Sequence, residues 1–361
     1  MKIRTELLQK MVAKAIQGAG NNKMIPLTSL IGIEVRDGLL CLRTTDGSNQ
    51  LIITEKFEVD PIYGSQEFYT IVNADTFSKL VGKTTKEFIE LKNNSNYLEV
   101  VGNGIYKLEI AINEEGDMVS FPEIPNITSS VTTINLNNLQ DAIKIAKASV
   151  AKTMEVPCLT GYYISDNTIA TDRQVICTMQ NKLLGDSILI SAEMAELLLL
   201  VEGVETIHLL KENNVLVFTT SNYTLFGKEL EGKDKYPVEQ INVLTRNNYD
   251  NYTKVNKQEL LNILDRMSLF VNDYDKNGVY LDFRTNQLCI QSQKSNAVES
   301  IDYLDSILAN PFSCLVDIEM LKAQVETIST DSVLIYYGQN TSIKIVDGNC
   351  THIISLLEKE N

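Results

Sequence analysis

Gly82-Lys83-Thr84 has the residue types that end a phosphate-binding loop, in which backbone amides and a lysine cradle the phosphates of a nucleotide. That loop needs a second glycine five residues earlier, where this chain has Phe77, and it must follow a strand, whereas here a helical pattern precedes it. Gly18-Ala19-Gly20 lacks the third glycine of a dinucleotide fingerprint and also ends a helical pattern, so it reads as a helix C-cap and turn. The two histidines, His208 and His352, lie in strand patterns, and neither is read as having a carboxylate or cysteine at ligand spacing. That argues against zinc and against histidine acid–base chemistry. Six scattered cysteines, Cys41, Cys158, Cys177, Cys289, Cys314 and Cys350, form no CxxC and read as buried thiols in a reducing cytoplasm. Acidic pairs such as Glu114-Glu115 fall in loops, where a solvated face is the default. No catalytic residue, cofactor or metal is expected, and the chain is not read as an enzyme.

What these residues sit on is a repeat. Gly32-Ile33-Glu34-Val35, Gly161-Tyr162-Tyr163-Ile164 and Gly278-Val279-Tyr280-Leu281 each begin a strand, a short turn and a second strand, and the glycines are 129 and 117 residues apart. A second hairpin series with Asn- or Gly-rich turns follows in the same order, its markers Ile89, Ile207 and Val333 spaced by 118 and 126 residues. Two markers keeping one period in a chain of 361 residues imply three copies of a unit of about 120 residues, which is domain repetition and not a short solenoid repeat.

Each copy has two helical patterns. One opens it, over residues 6–17, 136–149 and 257–268, with apolar stripes such as Leu8, Met11 and Val12 or Leu260, Leu264 and Met267. A later one covers 74–82, 191–203 and 317–327, with Asp317 and Ser191 as capping residues. Two helices on one side of a mostly antiparallel sheet define an α+β unit. Interruptions at Pro122, Pro125 and the Asn-rich 246–252 stretch give domains 1–127, 128–246 and 247–361.

Composition fits this organisation: 44% hydrophobic, 22% charged and a mean hydropathy of -0.06 describe a globular chain with room for two or three cores. The N-terminus has no apolar signal core, and no stretch approaches the roughly 18 apolar residues of a membrane span, so a cytoplasmic protein without membrane contact is expected.

With these features in hand, the chain resembles the bacterial beta sliding clamp, the processivity subunit of the replicative DNA polymerase. The resemblance runs from Met1-Lys2-Ile3 through the Pro26-Leu27 turn to the strand at 351–357. It is sharpest at Ala170-Thr171-Asp172 followed by Arg173 and Cys177, and at Tyr236-Pro237 before Val243-Leu244. It implies three tandem copies of a DNA-clamp domain in a ring of six, with helices lining the hole and sheets outside. Geometry sets the number of chains independently. Units of ~120 residues have an equivalent diameter of about 35 Å, so three leave a hole of only about 5 Å while six leave about 35 Å, enough for a duplex roughly 20 Å across. A head-to-tail homodimer is therefore expected, and the resemblance implies that Phe270 and Val271 of one chain would meet the edge strand around Tyr106 and Leu108 of the other.

The net charge of -15 is unusual for a DNA-binding protein, but the segments that carry the six helices sum to zero. A near-neutral lining suits sliding without tight binding, because every phosphate contact adds salt-sensitive affinity. Lys10, Lys14, Lys23, Lys79, Lys83, Lys144, Lys147 and Lys152 are the expected DNA-facing residues. The resemblance also implies an apolar pocket for short peptide motifs of DNA polymerase, clamp loader and repair proteins. Its walls would be Leu159, Thr171, Arg173, Val175, Pro237, Ile241 or Val243, Met320, Ser342, Ile353, Ser355 and Leu357. Here the sequence departs from the family: the Gly-His pair after Thr-Asp is missing, and the chain ends in Ser355-Leu356-Leu357-Glu358 and three further residues, with acidic charge. The competing reading is a monomeric three-domain interaction scaffold without a ring.

Overall fold

Each third of the chain opens with a strand that runs directly into a helix. Lys2–Arg4 leads into α1, Thr5–Ala15; Thr132–Asn135 into α3, Leu136–Ala146; and Asn251–Asn256 into α6, Lys257–Met267. A second strand-to-helix junction follows in each third, giving α2, Ala74–Gly82, α4, Ala192–Leu198, and α7, Ile318–Glu326. The computed structural model describes residues 1–57, 67–125, 127–294, 296–308, 311–339 and 341–358. The last three residues of the acidic C-terminus lie outside them.

The helices form where an apolar stripe and a cap coincide. In α1, Leu8, Met11, Val12 and Ala15 recur at helical spacing and are buried, and in α6 Leu260, Ile263, Leu264 and Met267 do the same. At three junctions the last strand residue is also the cap. Asn73 accepts from the Thr76 amide at 2.9 Å, Asn256 from the Glu259 amide at 2.9 Å, and Asp317 from the Glu319 and Met320 amides at 2.8 and 3.1 Å. The helices are shorter than the sequence pattern suggests: α4 stops at Leu198, and 3-10 turns, Ile16–Gly18 and Lys147–Ser149, end the first and third patterns. A seventh helix, α5 at Val238–Arg246, was not read from the sequence.

The strands assemble into two compact units. One comprises Met1–Leu136 and Glu193–Glu229, the other Asn137–Ala192 and Leu230–Asn361. The first holds an eight-stranded antiparallel sheet in the order 68–73, 30–36, 39–45, 49–56, 223–228, 215–219, 206–212, 132–135, and a four-stranded sheet ending on Ile105–Glu109. The second holds a nine-stranded sheet in which Asn167–Thr171 and Val175–Gln180 continue into Cys350–Ser355 and Ser342–Asp347, and a four-stranded sheet ending on Val298–Asp302. The middle third of the chain thus contributes strands to both units. The repeat is one of element order, whereas packing divides the chain in two.

Two glycines owe their place to close approach and not to φ. Gly18 is no left-handed cap: a Cβ there would lie 2.6 Å from Leu51 Cβ and 2.7 Å from Thr44 Oγ1, so only glycine lets the end of α1 rest on the sheet. At Gly161, the repeat glycine of the middle third, a Cβ would lie 2.2 Å from the Ile190 carbonyl oxygen, across the pairing of Gly161–Ile164 with Ile188–Ser191. Gly161→Ala is therefore expected to lower stability by about 1–3 kcal/mol. Gly82→Ala, with nothing within 4 Å, should leave it unchanged or raise it, and thermal unfolding of the two variants checks the contrast.

Candidate functional site

The Thr171-Asp172-Arg173 turn joins two strands of the nine-stranded sheet and is built almost entirely from its own side chains. Thr171 Oγ1 donates to the Val175 carbonyl at 2.7 Å and accepts from the Arg173 amide at 3.1 Å, while Asp172 Oδ1 accepts from the Gln174 and Val175 amides at 2.9 and 2.7 Å. The first third makes the same turn at Thr45-Asp46-Gly47, with Thr45 Oγ1 donating to Asn49 at 2.6 Å and Asp46 Oδ1 accepting from Ser48 and Asn49 at 2.7 and 2.6 Å. In both, the third residue is left-handed: Gly47 has φ 100° and Arg173 has φ 83°. Glycine adopts this conformation without cost; arginine does not. Arg173 reaches out to Glu155, Nη2 to Oε2 2.7 Å.

Beside this turn lies a cleft of 820 Å³ between the 3-10 turn that follows α3 and the N-terminal end of α7. Lys152, Asp172, Arg173, Glu319 and Met320 are among its walls, with Ala148, Ala151 and Ala323 as apolar floor. Asp317, the cap of α7, also lines it, and burial raises its carboxyl above the ordinary value, with Glu319 and Asp172 adding to the shift and the amide bonds from Met320 and Glu319 opposing it. The cleft is thus half charged, more polar than the apolar groove that the resemblance implies.

The residues assigned to the peptide pocket do not share one surface. Leu159, Ile241 and Ile353 are 3%, 2% and 3% exposed and share one apolar cluster with Tyr236, so they are core residues and not walls of an open groove. Val175 is fully buried in the larger core, against which Met320 packs half-buried. Ser342 is buried opposite Ser355, its hydroxyl 3.0 Å from the Tyr249 phenol, and the Leu357 amide donates to the Leu315 carbonyl at 2.8 Å. Pro237, half-buried, caps α5. Of the pair offered for the next wall, the structure buries Ile241 and leaves Val243 65% exposed. Two residues along a helix turn the side chain about 200°, so they cannot share a face. Only Arg173, Met320 and Lys152, which the resemblance had put on the DNA side, meet in the cleft.

The lysines assigned to DNA are exposed except Lys14, which is half-buried. On α1, Lys10 and Lys14 stand one turn apart on the face opposite the buried stripe, and Lys79 and Lys83 do so at the end of α2. The two helices pack together, and the Gln9 amide donates to the Val81 and Thr84 carbonyls at 3.0 Å each, satisfying the C-terminal end of α2. Lys14 pairs with Glu202 at 3.0 Å and Lys79 with Asp75 at 2.7 Å. Glu202 follows α4, so part of the acidic charge of that segment serves a lysine of α1. On the acidic α7, Lys322 reaches Asp265 of α6 at 2.6 Å. Tyr106 and Phe270, assigned to the dimer seam, are 40% and 49% exposed, and Leu108 and Val271 are half-buried.

One constellation overturns the sequence reading. His352 does have cysteines at ligand spacing: Cys350 lies two residues away on the same strand face, its Sγ 3.3 Å from His352 Nε2, and Cys177 Sγ lies 3.8 Å from Cys350 Sγ. The alternation Cys350-Thr351-His352 was the available signal, and the pairing of residues 175–180 with 350–355 supplies the third side chain. All three are buried, as is Gln324, whose Oε1 lies 2.8 Å from His352 Nδ1. The hydrogen bond with Cys177, together with His352, holds the Cys350 thiol down to about 6 against its burial, while the same bond and burial push Cys177 up.

The fold is that of the bacterial sliding clamps. The chain superposes on the DNA polymerase sliding clamp from Bacillus subtilis with a TM-score of 0.87 at 17% identity, covering 99% of both chains. It superposes on the DNA polymerase III beta subunit from Thermotoga maritima with 0.86 at 15% identity over 99% of both chains. For the DNA polymerase III subunit beta from Pseudomonas aeruginosa the TM-score is 0.86 at 16% identity, over 99% of this chain and 100% of that one. No protein-family model and no curated protein matches the sequence.

Arg173→Gly is expected to stabilise the protein by about 1 kcal/mol, since it removes the left-handed strain and loses only an exposed ion pair with Glu155. Chemical denaturation checks this. For Asp317 the raised native pKa means the folded state binds more protons, so its contribution is present at low pH and is lost as pH rises from 3.8 through the raised value. Asp317→Asn keeps the cap and should remove that loss, so the stability gap between variant and wild type should widen with pH over that window and then stay constant.

Proposed function

We propose that the chain is a DNA sliding clamp: two copies close head to tail around duplex DNA, hold it topologically without reading sequence, and tether DNA polymerase and the clamp loader through short peptide motifs. The observation that carries this reading is the likeness of fold along the whole chain, 99% of it, to proteins described as DNA polymerase sliding clamps. The same reading makes the protein a cytoplasmic, non-enzymatic processivity factor built as domains 1–127, 128–246 and 247–361. No helix of the described residues is long and apolar enough to cross a membrane.

Two edge strands support head-to-tail closure. Ile105–Glu109 and Val298–Asp302 each end a four-stranded sheet, and exposed edges with apolar side chains invite pairing with another chain. Ile105 is 68% and Val298 54% exposed, with Tyr106 beside the first and Leu269 and Phe270 on the turn after α6. We place the dimer seam between these edges. Lys10, Lys14, Lys23, Lys79, Lys83, Lys144 and Lys147 are its loose phosphate contacts. The 820 Å³ cleft with Arg173 and Met320 is the entry to the peptide site, and Lys152 belongs there. Its charged walls suit a partner peptide that carries both apolar and charged side chains.

The dimer separates this reading from a monomeric scaffold. Sedimentation should give about twice the chain mass of 40.4 kDa, and Phe270→Asp combined with Tyr106→Asp should return the protein to the single-chain mass with its fold intact. A wild type that sediments at 40.4 kDa at all concentrations refutes the ring. For the peptide site, Met320→Asp and Leu357→Asp, both at half-buried positions, should weaken a clamp-binding peptide at least tenfold in fluorescence anisotropy.

A further inference from the structure

We propose that Cys177, Cys350 and His352 form a site for one Zn²⁺ ion that fastens the C-terminal strand, Cys350–Ser355, to Val175–Gln180. The register places the donors: Cys177 is directly opposite His352, and Cys350 is diagonal to Cys177 on the same face. The two sulfurs and the imidazole nitrogen lie within 4.8 Å of one another, with Cys177 to Cys350 at 3.8 Å and Cys350 to His352 at 3.3 Å. A tetrahedral zinc with bonds of about 2.3 Å to sulfur and 2.0 Å to nitrogen needs sulfurs about 3.8 Å apart and sulfur and nitrogen about 3.5 Å apart. The donors already stand near those separations.

A disulfide fits the same cysteines less well. Diagonal partners on adjacent antiparallel strands are about 7–8 Å apart, whereas a disulfide needs Cα atoms within about 6.8 Å and Cβ atoms about 3.8 Å apart. A bridging ion spans the sulfurs without moving either strand.

The surroundings prepare the histidine for a metal. Gln324 Oε1 accepts only, so at 2.8 Å it fixes the proton on Nδ1 and leaves the Nε2 lone pair facing Cys350. An amide carbonyl behind the imidazole is the outer-shell arrangement that orients metal-bound histidines. Ser149, whose hydroxyl donates to the same oxygen at 3.2 Å, holds Gln324 in turn. Thr327 Oγ1 lies 3.4 Å from Nε2 and donates to the Gln324 backbone carbonyl at 2.7 Å, so a neutral hydroxyl borders the donor set. Charge selects a divalent ion: two thiolates and Zn²⁺ sum to zero, and a buried pocket strongly disfavours net charge. Binding expels both thiol protons, and its free energy is available only when the last strand has docked.

The test is to refold the full-length chain with and without Zn²⁺, remove loose metal by gel filtration, and measure bound zinc and thermal stability. Wild type and the controls Cys289→Ser and Cys314→Ser should retain one zinc per chain and gain in melting temperature. Cys177→Ser and His352→Gln should retain less than a tenth as much and gain nothing. Refolding wild type with Co²⁺ should give thiolate-to-cobalt charge-transfer absorption and intense tetrahedral ligand-field bands, a readout that needs no variant to fold. Absence of those bands, zinc retained by Cys177→Ser, uptake of copper(I) but not zinc, or a loss of two mass units marking a disulfide would each overturn the proposal.

Discussion

Two antiparallel seams join segments that lie far apart in the chain, and the architecture depends on them. Tyr223–Lys228 pairs with Asn49–Lys56 to extend the sheet of the first unit, and Cys350–Ser355 pairs with Val175–Gln180 to extend that of the second. Leu51, Leu225, Val175 and Ile354, all at these seams, have no solvent exposure. Closing such long loops has an entropic cost that grows only slowly with length, so buried apolar area across each seam can offset it. The seams let a three-fold repeat become two continuous sheets, while the small sheets end separately on Ile105–Glu109 and Val298–Asp302.

The functional features follow from where the seams fall. The turn Thr171-Asp172-Arg173 is displayed at the end of the second seam, next to the start of α7 and the cleft, and the Ser355 amide donates to the Gln174 carbonyl at 2.9 Å, holding the C-terminal strand against the turn. The same seam brings Cys177 to Cys350 and His352. On the first unit, α1 and α2 pack on each other through the Gln9 cap and keep their lysines on the opposite faces. Ion pairs from Glu202 and Asp75 temper those lysines.

Much of this was legible in the sequence, for physical reasons. The hairpins beginning at Gly32, Gly161 and Gly278 repeat apolar and aromatic runs around short turns and so read as strands, and the apolar stripes of α1 and α6 mark their buried faces. The cap Asp317, named from the sequence, sits where strand period gives way to helix period, whereas the caps Asn73 and Asn256 came from the structure. What stayed hidden depended on partners distant in sequence. The buried Leu159, Ile241 and Ile353 look like pocket walls until α5, a helix not read from the sequence, turns Ile241 inward and Val243 out. Gly18 reads as a cap until Leu51 and Thr44 are found against it, and His352 has no visible third ligand until the strand of Cys177 is laid beside it.

Topological retention on DNA tests the central claim most directly. Loaded onto a nicked circular plasmid by a bacterial clamp loader, the protein should co-elute with the DNA in gel filtration and be released when a single restriction cut makes the circle linear. Equal retention on circular and linear molecules, or loss from both, would contradict a ring that encircles the duplex.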